Sequence, residues 1–208
     1  ALTGGPTGAA LVAGNTVVIK PATDTPWTAR LITECLLEAG IPDGVVNYVT
    51  GPGSTLGQAL IDSPEVDGIT FTGSFEVGRK ILRVFAEGRG GGPTIVELGG
   101  EIGPIVSRHA DVETAAIGIL RSAFGLQGQK CSAGSRVFIE EPLYDRLVAR
   151  LLELTKTLKI GDPTSRENFL GPVVNKSSYK DYQGFVQELK EAGKILTGGE
   201  VLTDGSYA

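Results

Sequence analysis

The chemistry open to this 208-residue chain rests on two cysteines, one histidine and a few charges at strand ends. Cys131 lies in Gly125-Leu126-Gln127-Gly128-Gln129-Lys130-Cys131-Ser132-Ala133-Gly134, a polar, glycine-rich connection with a cation just before the thiol. A thiol reacts as thiolate and ordinarily has a pKa near ~8.5, so a neighbouring positive charge or helix end would activate it. On these residues alone Cys131 is either a reactive thiol or a plain loop cysteine. Cys35 falls at helical spacing with Leu31 and Ala39, together with Ile32 and Leu36, which predicts a small buried residue on an apolar helix face. His109, in Ser107-Arg108-His109-Ala110-Asp111, reads as a surface turn residue, so a Cys–His pair is disfavoured. Carboxylates are then the candidate bases. Glu97 ends an apolar strand just before Leu98-Gly99-Gly100, and it either faces solvent at the sheet's carboxyl edge or is partly buried there. Ligands of open α/β sheets collect at that edge.

Two glycine motifs, Gly51-Pro52-Gly53-Ser54-Thr55-Leu56-Gly57 and Thr72-Gly73-Ser74-Phe75-Glu76-Val77-Gly78, follow predicted strands and open predicted helices. Free backbone N–H groups and the helix dipole can hold a phosphate there. Neither motif is a G-x-G-x-x-G. A plain helix cap, with a glycine for close strand–helix packing, accounts for each equally well. The cysteines, 35 and 131, have no metal-ligand spacing and make no disulfide framework, and no metal site is expected.

The elements that must carry these residues alternate in type. Asn15–Lys20 is a β-branched run, followed by a helical pattern from Pro26 to Ala39 that Gly40 closes. Val45–Val49 is followed by a helix opening near Ser54, and Gly68–Phe71 by a helix from Ser74 to Phe85; Thr94–Glu97 is a fourth strand. These βα units predict a parallel, Rossmann-like half domain. After Gly99-Gly100 a second set begins: Pro104–Val106, a helix from Asp111 to Phe124, then Arg136–Glu140. A helix from Pro142 to Leu158 follows, with Leu143, Leu147, Leu151, Leu154 and Leu158 on one face, and another runs from Lys176 to Ala192. The boundary between the lobes is placed at Gly99 or Gly100.

Composition limits the partners. The hydrophobic fraction is 41%, the charged fraction 21% and the mean hydropathy +0.08, as in a soluble globular chain. Glycine, 30 of 208 residues, is about twice as frequent as usual, which implies tight turns or close backbone approaches. A net charge of −5 without a basic run disfavours nucleic acid and anionic membranes, and no apolar run is long enough for a span or signal core. A cytoplasmic setting is expected, or the mitochondrial matrix in a eukaryote. Methionine is absent, and the chain opens on Ala1-Leu2-Thr3 as though within an element, which reads as an internal piece of a longer protein.

Four motifs then occur in order: Gly14-Asn15-Thr16-Val17-Val18-Ile19-Lys20-Pro21-Ala22, Phe71-Thr72-Gly73-Ser74 with Gly78, Glu97-Leu98-Gly99-Gly100, and Gly128-Gln129-Lys130-Cys131. Together they resemble the aldehyde dehydrogenase superfamily over practically the whole chain. The run Gly125–Ala133 is most similar to the branch that oxidises glutamate semialdehyde from 1-pyrroline-5-carboxylate. The resemblance implies an α/β fold of two parallel, Rossmann-like lobes, each incomplete here. Residues 1–99 would be the second half of an NAD(P)-binding domain and 100–208 the first half of a catalytic domain.

By the same resemblance Cys131 is the nucleophile and Glu97 the general base. Lys20 reaches the adenosine ribose, Gly53 and Ser54 flank the adenine, and Gly73 with Ser74 meets the pyrophosphate of NAD or NADP. Thiolate attack on an aldehyde gives a thiohemiacetal, hydride loss to the nicotinamide leaves a thioester, and the base activates water to release the acid. The Cys131 backbone N–H can serve the oxyanion. The implied partners are a small aldehyde and, for the parent protein, further copies of itself.

Three departures from the family pattern stand out. The oxyanion asparagine would precede Ala1 and the ribose-binding glutamate would follow Ala208, so the isolated piece is expected to be inactive. Glu101 replaces the usual lysine, reversing a charge beside the proposed base. Thr23 stands where NAD-preferring members often carry glutamate, which leaves NAD against NADP open. A coenzyme-A-acylating member is the rival enzyme, with Glu97 against it because such members need no hydrolytic base; a non-catalytic nucleotide-binding module is the rival of another class.

Overall fold

A computed structural model describes residues 2–88, 92–100 and 102–202. The chain forms two compact units, Ala1–Gly99 and Gly100–Ala208. Glu101, singled out above for its charge, lies outside the described residues.

The first unit begins with helix α1 (Gly4–Val12), which the periodicity does not anticipate because three of its residues, Gly4, Gly5 and Gly8, are poor helix formers. Strand β1 (Val17–Ile19) then leads through helix α2 (Pro26–Glu38) to strand β2 (Val46–Tyr48), which pairs with β1 in parallel, Val17 opposite Val46. Pro26 supplies the preset φ that suits the first position of α2. The buried stripe of α2 is Ala29 and Thr33, with Ile32 and Leu36 half-buried, and the Thr33 hydroxyl donates to the Ala29 carbonyl at 2.9 Å. This corrects part of the expected face: Ile32 and Leu36 are covered in part, but Leu31, Cys35 and Ala39 are exposed. Spacing alone allowed either stripe, and the small Ala29 and Thr33 are the ones that sit buried.

After a π-helical turn at Gly53–Gly57 comes the short helix α3 (Gln58–Asp62). Strand β3 (Ile69–Gly73), helix α4 (Phe75–Gly88) and strand β4 (Thr94–Leu98) form a second βαβ unit, with Ile69 opposite Thr94 and Gly73 opposite Leu98. Ile61, Ile81 and Phe85 make its core, against which Val66, Ile69, Phe71 and Val84 pack. Gly78 is where α4 meets β4, since a Cβ there would collide with the Leu98 side chain.

The second unit repeats the arrangement. Strand β5 (Ile105–Val106), helix α5 (Val112–Phe124) and strand β6 (Phe138–Ile139) form a third parallel βαβ unit, Ile105 opposite Phe138. Asp111 caps α5 by accepting the Thr114 N–H at 2.8 Å. A 3-10 turn at Glu141–Leu143 opens helix α6 (Tyr144–Thr155), and Asn175 caps helix α7 (Lys176–Glu191) with a 2.8 Å bond from the Ser178 N–H. Val106, Ala116, Ile119, Leu143 and Leu147 form the core, and Leu151 and Leu154 extend it. Leu158, expected on the same face, lies beyond the end of α6.

Candidate functional site

In the first unit the carboxyl ends of the strands carry the candidate binding residues. Beyond β1 and β2, a cavity of about 250 Å³ is lined by Pro21, Ala22, Thr23, Pro26, Thr50 and Gly51. Lys20 opens the loop after β1, with its Nζ donating to the Pro21 carbonyl at 2.8 Å. The lysine stem runs beside Gly57, where a Cβ would lie 3.6 Å from Cε. Lys20 is thereby brought to the π-helical turn that begins with the exposed Gly53 and Ser54. The Pro52 carbonyl accepts from Thr55, Leu56 and Gly57 N–H groups at 3.0–3.3 Å, which holds this turn tight at its start.

Gly73 ends β3, and Ser74 stands between it and α4. The Ser74 Oγ accepts the Val77 N–H at 3.4 Å, so this serine caps the helix. The cap and the Gly78–Leu98 approach are what the structural alternative called for, and both are compatible with an anion at the start of α4. Glu97 is exposed and stands opposite Thr72 in the parallel register, one residue before the Gly73–Leu98 pair. The candidate base and the candidate phosphate contact therefore share one edge of one strand pair.

In the second unit the cysteine loop begins where α5 ends. Leu126 and Gln127 take left-handed φ values of 53° and 57°, and Gly128 follows at 70°. Such a conformation costs a non-glycine residue roughly 1–2 kcal/mol, so surrounding contacts must hold it. The Lys130 ammonium lies over Gly125, 3.4 Å from where a Cβ would be, at the negative end of α5. Cys131 then sits at the first central position of a turn closed by the Ala133 N–H donating to the Lys130 carbonyl at 3.1 Å. Its side chain is exposed. Gly100 packs directly on the Cys131 backbone, and a Cβ there would collide with its Cα and carbonyl.

Side chains the sequence reading passed over hold this turn. Ser122 on α5 accepts the Gly134 N–H at 3.0 Å and donates to the Ser132 carbonyl at 3.5 Å. The Gln129 amide oxygen accepts the Val174 N–H at 3.0 Å. The Gln127 amide, turned to satisfy both neighbours, accepts the Gly171 N–H at 2.7 Å and donates to the Leu126 carbonyl at 3.2 Å. No local spacing signals the bonds to Gly171 and Val174, because these partners are backbone groups far along the chain. His109 lies exposed in a turn closed by the Ala110 N–H on the Ser107 carbonyl at 2.9 Å. Among the described residues no three His, Cys, Asp or Glu side chains group as metal ligands, and no helix is long and apolar enough to cross a membrane.

Fold and site thus define a parallel α/β protein with a strand-edge crevice in one unit and an exposed, tightly held cysteine in the other. The family model described as the aldehyde dehydrogenase family matches residues 1–208. The chain belongs to the aldehyde dehydrogenase family. It is 45% identical over 204 residues to a protein named 1-pyrroline-5-carboxylate dehydrogenase from Geobacillus sp. (strain WCH70), covering 96% of this chain and 40% of that one. A solved mutant of Thermus thermophilus 1-pyrroline-5-carboxylate dehydrogenase superposes with a TM-score of 0.91 at 35% identity, over 99% of this chain and 40% of that chain. A Thermus 1-pyrroline-5-carboxylate dehydrogenase solved with bound NAD matches at 0.87 and 36% identity, over 95% and 39%. The chain spans about two fifths of the length of the curated relatives it matches.

Proposed function

We propose that this chain carries the nucleophile, the base and part of the dinucleotide site of an NAD(P)-dependent aldehyde dehydrogenase, with glutamate semialdehyde as substrate. The observation that carries this is the edge position of Glu97, paired with Thr72 beside Gly73 and Ser74, in a chain whose relatives bear the name 1-pyrroline-5-carboxylate dehydrogenase. Gly100, three residues after Glu97, lies against the Cys131 backbone.

The cavity after β1 and β2 suits a nucleoside, because its wall is prolines and small side chains with the Thr23 hydroxyl at the rim. Lys20, beside Gly57, supplies a cation for ribose or phosphate oxygens, and Ser74 with the first turn of α4 supplies donors for a pyrophosphate. The bound dinucleotide supplies a hydride acceptor. The Cys131 thiolate attacks the aldehyde carbon, the exposed turn gives it access, and its backbone N–H is the donor that would serve the oxyanion. Glu97 takes the proton of the water that attacks the acyl carbon, and the Cys131 thiolate leaves as the acid is released. Two free thiols suit the reducing cytoplasm.

Glu97→Gln in the natural full-length protein tests the base. An amide cannot take water's proton, so acylated Cys131 is expected to accumulate in mass spectra while steady turnover falls by 10²-fold or more. Near-normal steady turnover with no acylated Cys131 would remove Glu97 from this role.

A further inference from the structure

We propose that Gln129 is a positioning residue for Cys131, fastening the cysteine turn to the Gly171–Val174 segment that leads into α7, with Gln127 as its companion. The inference rests on Cys131 being the nucleophile. Between the end of α5 and the cysteine, the chain takes three successive left-handed residues, of which only Gly128 is a glycine. The local bonds on that path, from the Gln129 N–H and the Gln127 amide to the Leu126 carbonyl, must hold two non-glycine residues in a left-handed conformation that costs each of them roughly 1–2 kcal/mol. Two side-chain acceptors restrain it by reaching backbone donors on one segment. Gln127 takes the Gly171 N–H at 2.7 Å, and Gln129 takes the Val174 N–H at 3.0 Å.

Behind the cysteine, Ser122 grips the Ser132 carbonyl and the Gly134 N–H. Cys131 is therefore bracketed by an anchor two residues before it and another immediately after it. Gly100 closes the backbone side. The anchor in front is the informative one, since it ties the thiol to a segment that is not part of the α5–β6 connection. Asn175, the next residue, caps α7, so the segment that holds Gln129 is itself fixed at a helix start. Gln129 touches no reacting atom in this scheme. It decides where the sulfur stands.

The test compares Gln129→Leu, Gln129→Asn and Gln129→Glu in the natural full-length protein. Leucine keeps the bulk and removes the acceptor; asparagine keeps an amide that stops one methylene short of Val174. Both are expected to lower kcat about 10- to 100-fold with KM for the aldehyde within about twofold, because a displacement near 1 Å at the reacting atom costs up to about 10²-fold. Glutamate keeps an oxygen for the Val174 N–H and is expected to restore plateau kcat to within about threefold. Its negative charge should move the pH profile to higher pH, and an unmoved profile would mean that residue 129 does not stand near the reacting sulfur, which overturns the proposal. Amide exchange at Val174 should quicken in the leucine and asparagine variants and stay slow with glutamate. Should the leucine variant fail to fold, the asparagine variant alone decides. Wild-type kcat in the leucine or asparagine variant, or an equal loss with glutamate, overturns the proposal. Cys131→Ser separates the premises: full activity in that variant removes both the nucleophile and its positioning residue, whereas inactivity there with normal kcat in Gln129→Asn removes only the latter.

Discussion

Cys35 and Cys131 are both exposed, so access does not separate them. The difference must lie in the surroundings: Cys35 stands on the outer face of α2, and Cys131 on a polar turn closed by the Ala133 N–H on the Lys130 carbonyl. Cys131 is expected to react faster with iodoacetamide than Cys35 in the native chain, followed by peptide mapping over time. Faster labelling of Cys35 would count against Cys131 as the activated thiol. The polar turn around Cys131 was legible from its glycine-rich run, which left a reactive thiol and a plain loop cysteine both open; the exposure of Cys35 was not legible, because helical spacing marks a stripe without saying which stripe is covered. The left-handed Leu126 and Gln127 were equally hidden, since no propensity places such residues there and the Gly171 and Val174 N–H groups that help to hold the turn lie more than forty residues away.

At the level of elements, burial rather than propensity decides where helices sit. Leu147 on α6 is wholly buried in the cluster with Ala116 and Ile119 of α5, so the α5–α6 contact depends on it. Leu147→Ala is expected to destabilise the second unit by about 2–5 kcal/mol, read from denaturant unfolding. A loss under ~1 kcal/mol would mean that this core can collapse around the gap. The order of strands and helices was readable because β-branched runs alternate with helical spacing and glycines mark the joins. Helix α1 was not, its glycines hiding it, and α3 opens at Gln58 rather than near Ser54 because the chain first makes a π-helical turn.

Over the whole molecule, acid should act unevenly. Glu140, held by the Arg108 guanidinium, and Glu113, held by Arg150, have carboxyls below the ordinary glutamate value of 4.5; Asp111, accepting from Thr114, lies below 3.8. All three belong to the second unit. A carboxyl whose pKa is lower folded than unfolded stabilises the fold above its unfolded value and ceases to do so as pH falls through its folded value. The second unit should therefore lose protection first as pH drops below about 4.5, and less so in high salt because these groups are exposed. Hydrogen exchange by mass spectrometry between pH 5 and 3 reads this directly. Earlier loosening of the first unit would contradict it.

The three βαβ units also bear on synthesis. Val17 finds Val46, Ile69 finds Thr94, and Ile105 finds Phe138, each partner following after one intervening helix. Parallel pairing is slow when its partners are far apart, because the loop between them must be closed first. Here every closure is short, and each pair is complete before the next strand pair leaves the ribosome. Each strand can therefore meet its partner in the order in which the chain is made, which shortens the time that both its edges stay open.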